Sequence, residues 1–453
     1  MFNPIDLVAF PLVLILLYLV SKVLLRNEDN VTRKFFIQAF WVRVAALLIF
    51  TALMQFYYGG GDSFRYYISV LDIRVAIDNN AFSLWDLFTT EKVDSYHPLY
   101  SFFAADELRD NHYYMMTTAN FTIPRIATFF SFLFFNSYLA LGFCFSYFAL
   151  IGSLLIYKIF KREFPGMKNQ IALACFFFPT VCFWSSGLLK DSLTFGALGF
   201  LFSAAYDILV IRKRFAVSVI KIIIAVYLFY TIKPYIMLAF APALLLLVFT
   251  QWSDAVQSRQ LKRFVFAVMV IVGLLGGVFL YANLTSEGSL QKYNTEIILD
   301  AMDKQRSVYE SQNMIDRSGS TFDLGSDNPV WMFPLGIVAS YFRPFLWEIR
   351  NPIMALSAIE SFLCTLLVIF LFVKVGFFRT FRIALGNPFT LFCLVFSLLF
   401  GGAVGTSTGN FGSLVRYKIP GLPFFLLFVL ITLYLANVPL PARVRKIKLL
   451  QTT

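Results

Sequence analysis

Apolar runs about as long as a membrane-spanning helix recur eleven times along this sequence of 453 residues. A helix needs about 20 predominantly apolar residues to cross the hydrocarbon core of a bilayer. The sequence therefore predicts an all-α polytopic membrane protein with a single integral-membrane domain over residues 1–453. The predicted spans lie near residues 5–24, 36–57, 137–157, 169–187, 192–210, 216–232, 235–251, 264–283, 352–374, 388–405 and 420–437.

The composition excludes several other classes of protein. Hydrophobic residues make up 59% of the chain and charged residues only 14%, whereas soluble domains carry about 25% charged residues. Such a chain could not cover its surface in water, which argues against a cytosolic enzyme, a secreted disulfide scaffold and an ordinary DNA-binding protein. The five cysteines lie inside apolar runs without CxxC spacing, so we interpret them as core residues.

The net charge of +12 is explained by the positions of the basic residues. If the N-terminus is outside, the basic clusters fall in short inner connections and in a basic tail over residues 438–453. Such a bias follows the positive-inside rule. The sequence therefore predicts the inner (plasma) membrane of a bacterium, an external N-terminus, a cytoplasmic C-terminus and no nucleic-acid partner. The inner clusters lie within residues 22–34, 158–168, 212–221, 259–263, 374–382 and 443–448.

Two long connections, near residues 58–136 and 284–351, fall on the predicted outer face and carry most of the acidic residues. The inner connections contain no GxGxxG or GxxxxGK[ST] pattern. They are also too short for a Rossmann or P-loop unit, which needs at least about 30 residues. We therefore expect any chemistry to take place on the outer face, where activated groups are mostly lipid-linked.

The first long connection begins with three glycines and an acid, Gly59-Gly60-Gly61-Asp62. Glycines permit a sharp turn as the chain leaves the helix, which would hold Asp62 at the membrane surface among aromatic residues. A carboxylate in a half-apolar site can act as a general base, so we predict Asp62 as the catalytic residue. The alternative is a helix C-cap followed by an interfacial aromatic belt.

Further polar residues near the outer ends of the runs are candidates for binding an anionic or sugar substrate. Cations would stabilise a phosphate and aromatic rings would stack against a sugar. The predicted substrate-binding residues are Arg65, Tyr66, Tyr67, His97, Lys190, Asp191, Lys233, Arg343, Glu348, Arg416 and Lys418.

Several of these candidates have a structural alternative. Lys190 and Asp191 would pair with each other, or Asp191 or Ser192 would cap the following helix. Lys233 would be a snorkelling anchor instead of a phosphate contact. Arg343 would pair with Glu348 instead of a substrate phosphate or carboxylate.

The last outer connection, residues 405–420, places small residues before Arg416 and Lys418. Such a run can bring backbone N–H groups and cationic side chains together around an anion. The sequence therefore predicts an anion cradle here, and a plain flexible loop is the alternative.

The two histidines, His97 and His112, give only a weak metal signal. No metal site is predicted, and a divalent cation is left open as a cofactor. His97 precedes Pro98 and is interpreted as a turn residue or a substrate contact. Glu360 lies within the ninth predicted span, where a carboxylate is costly and marks a pathway or a structural partner.

The acid after the second run, with the following Ser63-Phe64-Arg65-Tyr66-Tyr67, resembles the GT-C superfamily of integral-membrane glycosyltransferases. That resemblance implies a polyprenyl-phosphate or polyprenyl-diphosphate sugar donor, a glycan or lipid acceptor, and Asp62 as the catalytic acid. Many members carry a second acid beside the first, whereas the next acid here is Asp72. The span count and the two large outer loops also resemble bacterial O-antigen or exopolysaccharide polymerases, whose outer-face arginines Arg343 and Arg416 would match.

Three functional hypotheses follow: a glycosyltransferase or polymerase of lipid-linked sugars, a flippase or transporter of such lipids, and a non-catalytic scaffold. Transporters often show internal repeats and polar residues at mid-membrane. We find no convincing repeat, and the polar residues collect at one surface, with Glu360 as the main exception. The sequence therefore favours catalysis. It also predicts one outer pocket shared by Asp62, Lys233, Arg343 and Arg416.

Overall fold

The computed structural model describes residues 2–104, 111–253, 321–322, 324–325 and 329–438. These residues form helices and no β-strand, with an isolated antiparallel bridge between Thr321 and Asn410. The predicted all-α class is therefore confirmed for the described chain.

The first part of the chain, up to residue 253, contains the helices α1 to α13. They are α1 (Asp6–Leu24), α2 (Asn30–Ala52), α3 (Asp62–Asp78), α4 (Asp86–Thr89), α5 (Pro98–Ala104), α6 (Asn111–Met115), α7 (Thr118–Leu133), α8 (Tyr138–Glu163), α9 (Lys168–Phe176), α10 (Pro179–Trp184), α11 (Lys190–Tyr206), α12 (Phe215–Ile232) and α13 (Pro234–Ser253). Short π-helical turns extend α2 over Leu53–Tyr57 and α11 over Asp207–Ile211.

The described chain after residue 328 contains six further helices. They are α14 (Pro329–Phe342), α15 (Pro352–Val375), α16 (Phe377–Gly386), α17 (Pro388–Ser407), α18 (Phe411–Tyr417) and α19 (Leu422–Leu435). Short 3₁₀ turns lie at Pro165–Met167 and Leu346–Glu348.

Eight helices of the described chain are long and apolar enough to cross a membrane. Each corresponds to one of the predicted apolar runs, which makes the chain a polytopic helical membrane protein. The eight are Asp6–Leu24, Asn30–Tyr57, Tyr138–Glu163, Lys190–Ile211, Phe215–Ile232, Pro234–Gln251, Pro352–Val375 and Pro388–Ser407.

The other three predicted runs have different outcomes. The last run, 420–437, contains α19, which forms a pair with the preceding short helix α18 across a bend of 64°. The run 169–187 does not form one continuous span, because the chain is extended at Phe178 and Pro179 starts the new helix α10. Proline lacks an N–H donor and disfavours helical geometry in the residue before it. The run 264–283 lies outside the described residues.

The chain divides into two compact units. We call residues 1–165 and 175–234 the N-terminal unit, and residues 166–174 and 235–453 the C-terminal unit. In the N-terminal unit α8 packs against α1, α2 and α11. The backbones of α8 and α11 approach so closely that a Cβ atom added to Gly199 would clash with the backbone of Gly152. Small residues allow such approaches in membrane bundles.

The first long connection, residues 58–136, is largely built of helices in its described part. Helix α3 packs against α5 and α7. Two hydrogen bonds join α3 to the start of α8: Ser63 Oγ lies 2.7 Å from the Tyr138 hydroxyl, and Tyr67 donates to the Asn136 carbonyl at 2.9 Å. This segment therefore holds the helix that begins at Asp62 in a fixed position within the N-terminal unit.

Candidate functional site

Asp62 is the first residue of α3 and follows a turn made by three glycines. Their φ angles are 67° at Gly59, 158° at Gly60 and 117° at Gly61, values that side chains other than glycine rarely adopt. The predicted glycine turn is thus confirmed. The Asp62 side chain is half-buried at the N-terminus of a helix of 17 residues, where the helix dipole stabilises a carboxylate in the charged form that a base requires.

Two cations meet two tyrosines and an asparagine beside this helix. Lys190 donates to Asn120 Oδ1, and the Tyr66 hydroxyl lies 3.4 Å from the same oxygen and 3.1 Å from the Tyr114 hydroxyl. The Arg65 guanidinium lies 5.2 Å from the centroid of the Tyr114 ring. We call these five residues the Lys190 network. It joins α3, α6, α7 and α11.

Two residues of the Lys190 network, Arg65 and Tyr66, lie on the same face of α3 as Asp62. Arg65 and Tyr66 follow Asp62 by three and four residues, and residues at these spacings are neighbours on a helix surface. The structure therefore joins three of the predicted site residues, Arg65, Tyr66 and Lys190, and Asp62 lies one helical turn before the first two in α3.

Lys233 and Asp191 form an ion pair inside the N-terminal unit. Lys233 is the single non-helical residue between α12 and α13, and its Nζ donates to Asp191 Oδ1. The side chains are only 7% and 1% exposed, so the alternative of a snorkelling anchor is wrong for Lys233. Asp191 lies in the first turn of α11 without capping it, because the N-cap is Leu189 and no side chain caps the helix.

Tyr67 and His97, two other predicted binding residues, have partners within the N-terminal unit. Burial raises the pKa of the Tyr67 hydroxyl, which donates to the Asn136 carbonyl. His97 Nδ1 accepts a hydrogen bond of 3.2 Å from the Leu99 N–H at the start of α5. His97 thus orders a helix start, as expected of a residue before Pro98, and its role as a substrate contact stays a prediction.

The environment of His97 predicts a dependence of stability on pH. Burial lowers the pKa of His97 and outweighs Asp94 and Asp86, which act in the opposite direction. The unfolded chain therefore binds a proton at His97 more readily than the folded chain does. The contribution of the neutral His97 ring to the stability of the folded state is lost as the pH falls below about 6.5. We expect the wild type to lose more of its Tm between about pH 7.5 and 5.5 than His97→Asn, because asparagine accepts the Leu99 bond at either pH. Equal losses of Tm would contradict this interpretation.

Arg343 in the C-terminal unit is paired with Glu348. Its Nε lies 3.1 and 3.2 Å from the two carboxylate oxygens, and Nη2 also donates to Glu348. The guanidinium lies 4.5 Å from the Phe322 ring centroid and 5.3 Å from that of Phe411. The structural alternative predicted for Arg343 is therefore present, and a substrate phosphate at the same edge would have to displace Glu348.

Lys418 lies in the bend between α18 and α19 and is buried. Its Nζ lies 3.3 Å from Ser361 Oγ, and it interacts electrostatically with Glu360 in α15. Glu360 is itself only 8% exposed. This lysine gives the carboxylate the structural partner that the sequence analysis left open.

The anion cradle predicted over residues 405–420 needs correction. Gly405 belongs to α17, and a Cβ atom added there would clash with the backbone of Gly336 in α14, so this small residue serves helix packing. The N–H groups of Gly412 and Ser413 are used by Asn410, whose Oδ1 caps α18 at 2.7 and 3.4 Å. Arg416 lies half-buried in α18, and its role as a phosphate contact stays a prediction.

The predicted site residues belong to both units, and their meeting in one pocket stays a prediction. Asp62, the Lys190 network and Lys233 lie in the N-terminal unit, whereas Arg343 and Arg416 lie in the C-terminal unit. Comparisons of the chain with protein-family models, curated proteins and solved structures found no match. The resemblance to GT-C enzymes therefore depends on the residues quoted for it.

The residues that the structure describes provide no candidate metal site. Among the described residues, no three or more His, Cys, Asp or Glu side chains are grouped so that they could hold a metal ion.

Three polar residues with partners in the N-terminal unit were not predicted from the sequence. Asn120 and Tyr114 belong to the Lys190 network. Arg125 in α7 is 4% exposed and donates to the Thr90 carbonyl and the Tyr227 hydroxyl. A lone arginine within the apolar stretch 121–135 was a usable signal for Arg125, whereas nothing local marks Asn120 or Tyr114.

Proposed function

We propose that this protein is a membrane glycosyltransferase that takes its sugar from a polyprenyl-phosphate or polyprenyl-diphosphate donor. It would act at the outer face of the bacterial inner membrane and pass the sugar to a glycan or lipid acceptor during cell-surface polysaccharide assembly. The observation that supports this proposal is the Lys190 network, in which Lys190 and Tyr114 from other helices join Arg65 and Tyr66 on the helix that begins at Asp62.

The chemistry assigns a role to each group. Asp62 accepts the proton of an acceptor hydroxyl, whose oxygen attacks the anomeric carbon of the donor sugar. The bond from this carbon to the phosphate oxygen breaks, and the electron pair leaves with the lipid phosphate. Arg65 and Lys190 stabilise the negative charge that develops there. The rings of Tyr66 and Tyr114 offer an aromatic surface beside the sugar.

Lys190 provides the direct test of this assignment. We expect Lys190→Gln to lower kcat/KM for a purified polyprenyl-linked sugar by at least about tenfold, the loss of one hydrogen bond to a charged group. Lys22→Gln is the matched control, because Lys22 is exposed in the last turn of α1 and should leave kcat/KM unchanged. Failure of the wild type to transfer sugar from either donor class, or equal kinetics of the two variants, would contradict the proposal.

The proposed topology has eleven spans, with the N-terminus outside and the C-terminus in the cytoplasm. We expect reporter fusions after Arg33 and after Asp94 to report opposite compartments, since the span Asn30–Tyr57 lies between them from Lys34 onward. A fusion after Lys213 should report the same compartment as Arg33 if the broken segment 168–184 crosses the membrane. Agreement of Lys213 with Asp94 would show that this segment does not cross.

A flippase or transporter of lipid-linked glycans is a second candidate, supported by the C-terminal unit. Lys418 is buried at the bend of 64° between α18 and α19 and interacts with the buried Glu360 in α15. Broken helices with charged residues are typical of transport sites. Release of labelled donor across vesicles without bond formation would favour transport. Sugar transfer would favour the enzyme, and a ladder of long products would identify a polymerase.

A further inference from the structure

Helix α16 (Phe377–Gly386) connects two membrane-spanning helices of the C-terminal unit. A single residue joins it to each neighbour, Gly376 to α15 and Asn387 to α17. Gly376 turns the chain with a φ of 86°, and the side chain of Asn387 caps α17. Since α15 and α17 are both long and apolar enough to cross a membrane, α16 begins and ends at the same membrane surface.

Four apolar side chains form a stripe along one broad face of α16. They are Phe377, Phe378, Phe381 and Leu385. Phe378 and Leu385 are 84% and 68% exposed, whereas Thr380 and Ala384 on the adjoining side are fully buried. The helix packs against α15, α17 and α19. Because the exposed stripe lies where two spans leave the membrane, lipid acyl chains cover it.

Two arginines lie next to each other on another side of α16. Arg379 and Arg382 are three residues apart, a spacing that makes side chains neighbours on a helix surface. Both are exposed, and at about 3.6 residues per turn both lie on the side away from Phe377. A helix with aromatic residues on one side and arginines on another lies in the membrane interface, with its cationic groups at the level of the lipid headgroups.

The chain provides no carboxylate for these two arginines. Neither Arg379 nor Arg382 forms an ion pair with any described residue. Both carboxylates of the described C-terminal unit, Glu348 and Glu360, already have a cationic partner. Glu360 lies 15 residues before the end of α15, about 22 Å away along its axis, and the sequence contains no further acid up to residue 453. The charge of the arginines is therefore balanced by groups outside the chain.

We propose that the two arginines of α16 bind the phosphate of an anionic glycerophospholipid, of which phosphatidylglycerol is the test case. A planar guanidinium forms two parallel hydrogen bonds to phosphate oxygens, and two such groups one turn apart face the same headgroup layer. The acyl chains of the bound lipid cover the Phe378 and Leu385 side chains. In the proposed topology this is the cytoplasmic surface, where anionic lipids attract basic segments.

The surface fits an anionic lipid better than two other occupants. A zwitterionic lipid such as phosphatidylcholine carries its own cation and leaves the charge of the arginines unbalanced. A soluble acidic partner would pair with the arginines but leave the exposed phenylalanine rings without an apolar environment. The site belongs to the C-terminal unit, includes neither Asp62 nor the Lys190 network, and does not depend on glycosyl transfer.

Photo-crosslinking of the purified full-length chain in phosphatidylcholine nanodiscs tests the site. Two probes with the same diazirine-bearing acyl chain, a phosphatidylglycerol and a phosphatidylcholine, are compared at equal mole fraction. Mass spectrometry measures the adducts on peptides from α16. Each basic residue near a membrane surface favours anionic lipid by about fivefold, so we expect at least about tenfold more adducts from the phosphatidylglycerol probe.

The variant Arg379→Gln with Arg382→Gln should bring the two yields close together without abolishing the adducts, because the apolar stripe remains in the membrane. Arg212→Gln with Lys213→Gln is the matched control. It removes the same two charges from an exposed pair in the N-terminal unit that lies outside the helices, and it should keep the preference at α16. Glycerol 3-phosphate in the buffer should not compete, since it lacks the acyl chains.

The proposal is overturned by equal yields from the two probes in the wild type, or by the absence of adducts on α16. A preference that survives in the Arg379 and Arg382 double variant, or that disappears in the Arg212 and Lys213 control, would show that the two arginines of α16 are not its source. Competition by glycerol 3-phosphate would indicate a site for free phosphate instead of a lipid.

Discussion

Replacing Asp62 with asparagine is expected to abolish glycan elongation while leaving the amount of folded protein unchanged. The amide cannot accept the acceptor proton, and the loss of a general base lowers rates by about 10²- to 10⁴-fold. The fold should tolerate the change, because the side chain keeps its shape and lies half-buried at the start of α3. The effect on rate should therefore be much larger than the effect on stability.

The matched control for this variant is Asp78→Asn. Asp78 is the last residue of the same helix and is exposed, so its replacement should alter neither glycan length nor protein abundance. Glycan length is measured on surface polysaccharide, abundance by immunoblot of membranes, and transfer by release of the lipid phosphate in vitro. Normal glycan length in Asp62→Asn would remove the proposed base and favour the transporter or the scaffold.

The parts of the fold that the sequence predicted are those set by local properties. Apolar length decides whether a segment can span a bilayer, and eight predicted runs are helices of sufficient length in the described chain. The turn at Gly59 to Gly61 was predictable for the same reason, since only local backbone freedom is needed. Pro179 was also visible in the sequence, and the break before it could have been predicted within the run 169–187.

The pairing of charged residues could not be predicted, because it depends on contacts between distant parts of the chain. Asp191 pairs with Lys233, 42 residues away, and Arg43 reaches Ser185, 142 residues away. Proximity in sequence suggested instead, as one alternative, that Asp191 pairs with Lys190. Small residues were ambiguous for the same reason. The sequence placed Gly405 in a loop, whereas in the structure it packs against Gly336 of another helix.

Breaking the ion pair between Asp191 and Lys233 is expected to cause the largest loss of stability in the N-terminal unit. Both side chains are buried, with 1% and 7% exposure, so removal of one partner leaves an uncompensated charge. Such losses amount to about 3–5 kcal/mol in the free energy of unfolding. We expect Asp191→Asn and Lys233→Met each to lower Tm strongly, measured on the purified protein in detergent.

The exposed pair Lys161–Asp29 is the control for a change of charge alone. Its side chains are 20% and 39% exposed, and exposed pairs contribute at most about 1 kcal/mol. Asp29→Asn should therefore change Tm little. Equal effects of Asp29→Asn and Asp191→Asn would show that burial of the Asp191–Lys233 pair does not determine stability.

The double variant Asp191→Asn with Lys233→Met separates a structural role of Lys233 from the predicted phosphate contact. Since neither charge remains, the double variant should be more stable than the sum of the single changes implies, by about 0.5–3 kcal/mol of coupling. If Lys233 serves stability alone, sugar transfer should return together with Tm. A protein that regains stability but transfers no sugar would show that the reaction also needs the charge of Lys233 or of Asp191, because the double variant restores neither.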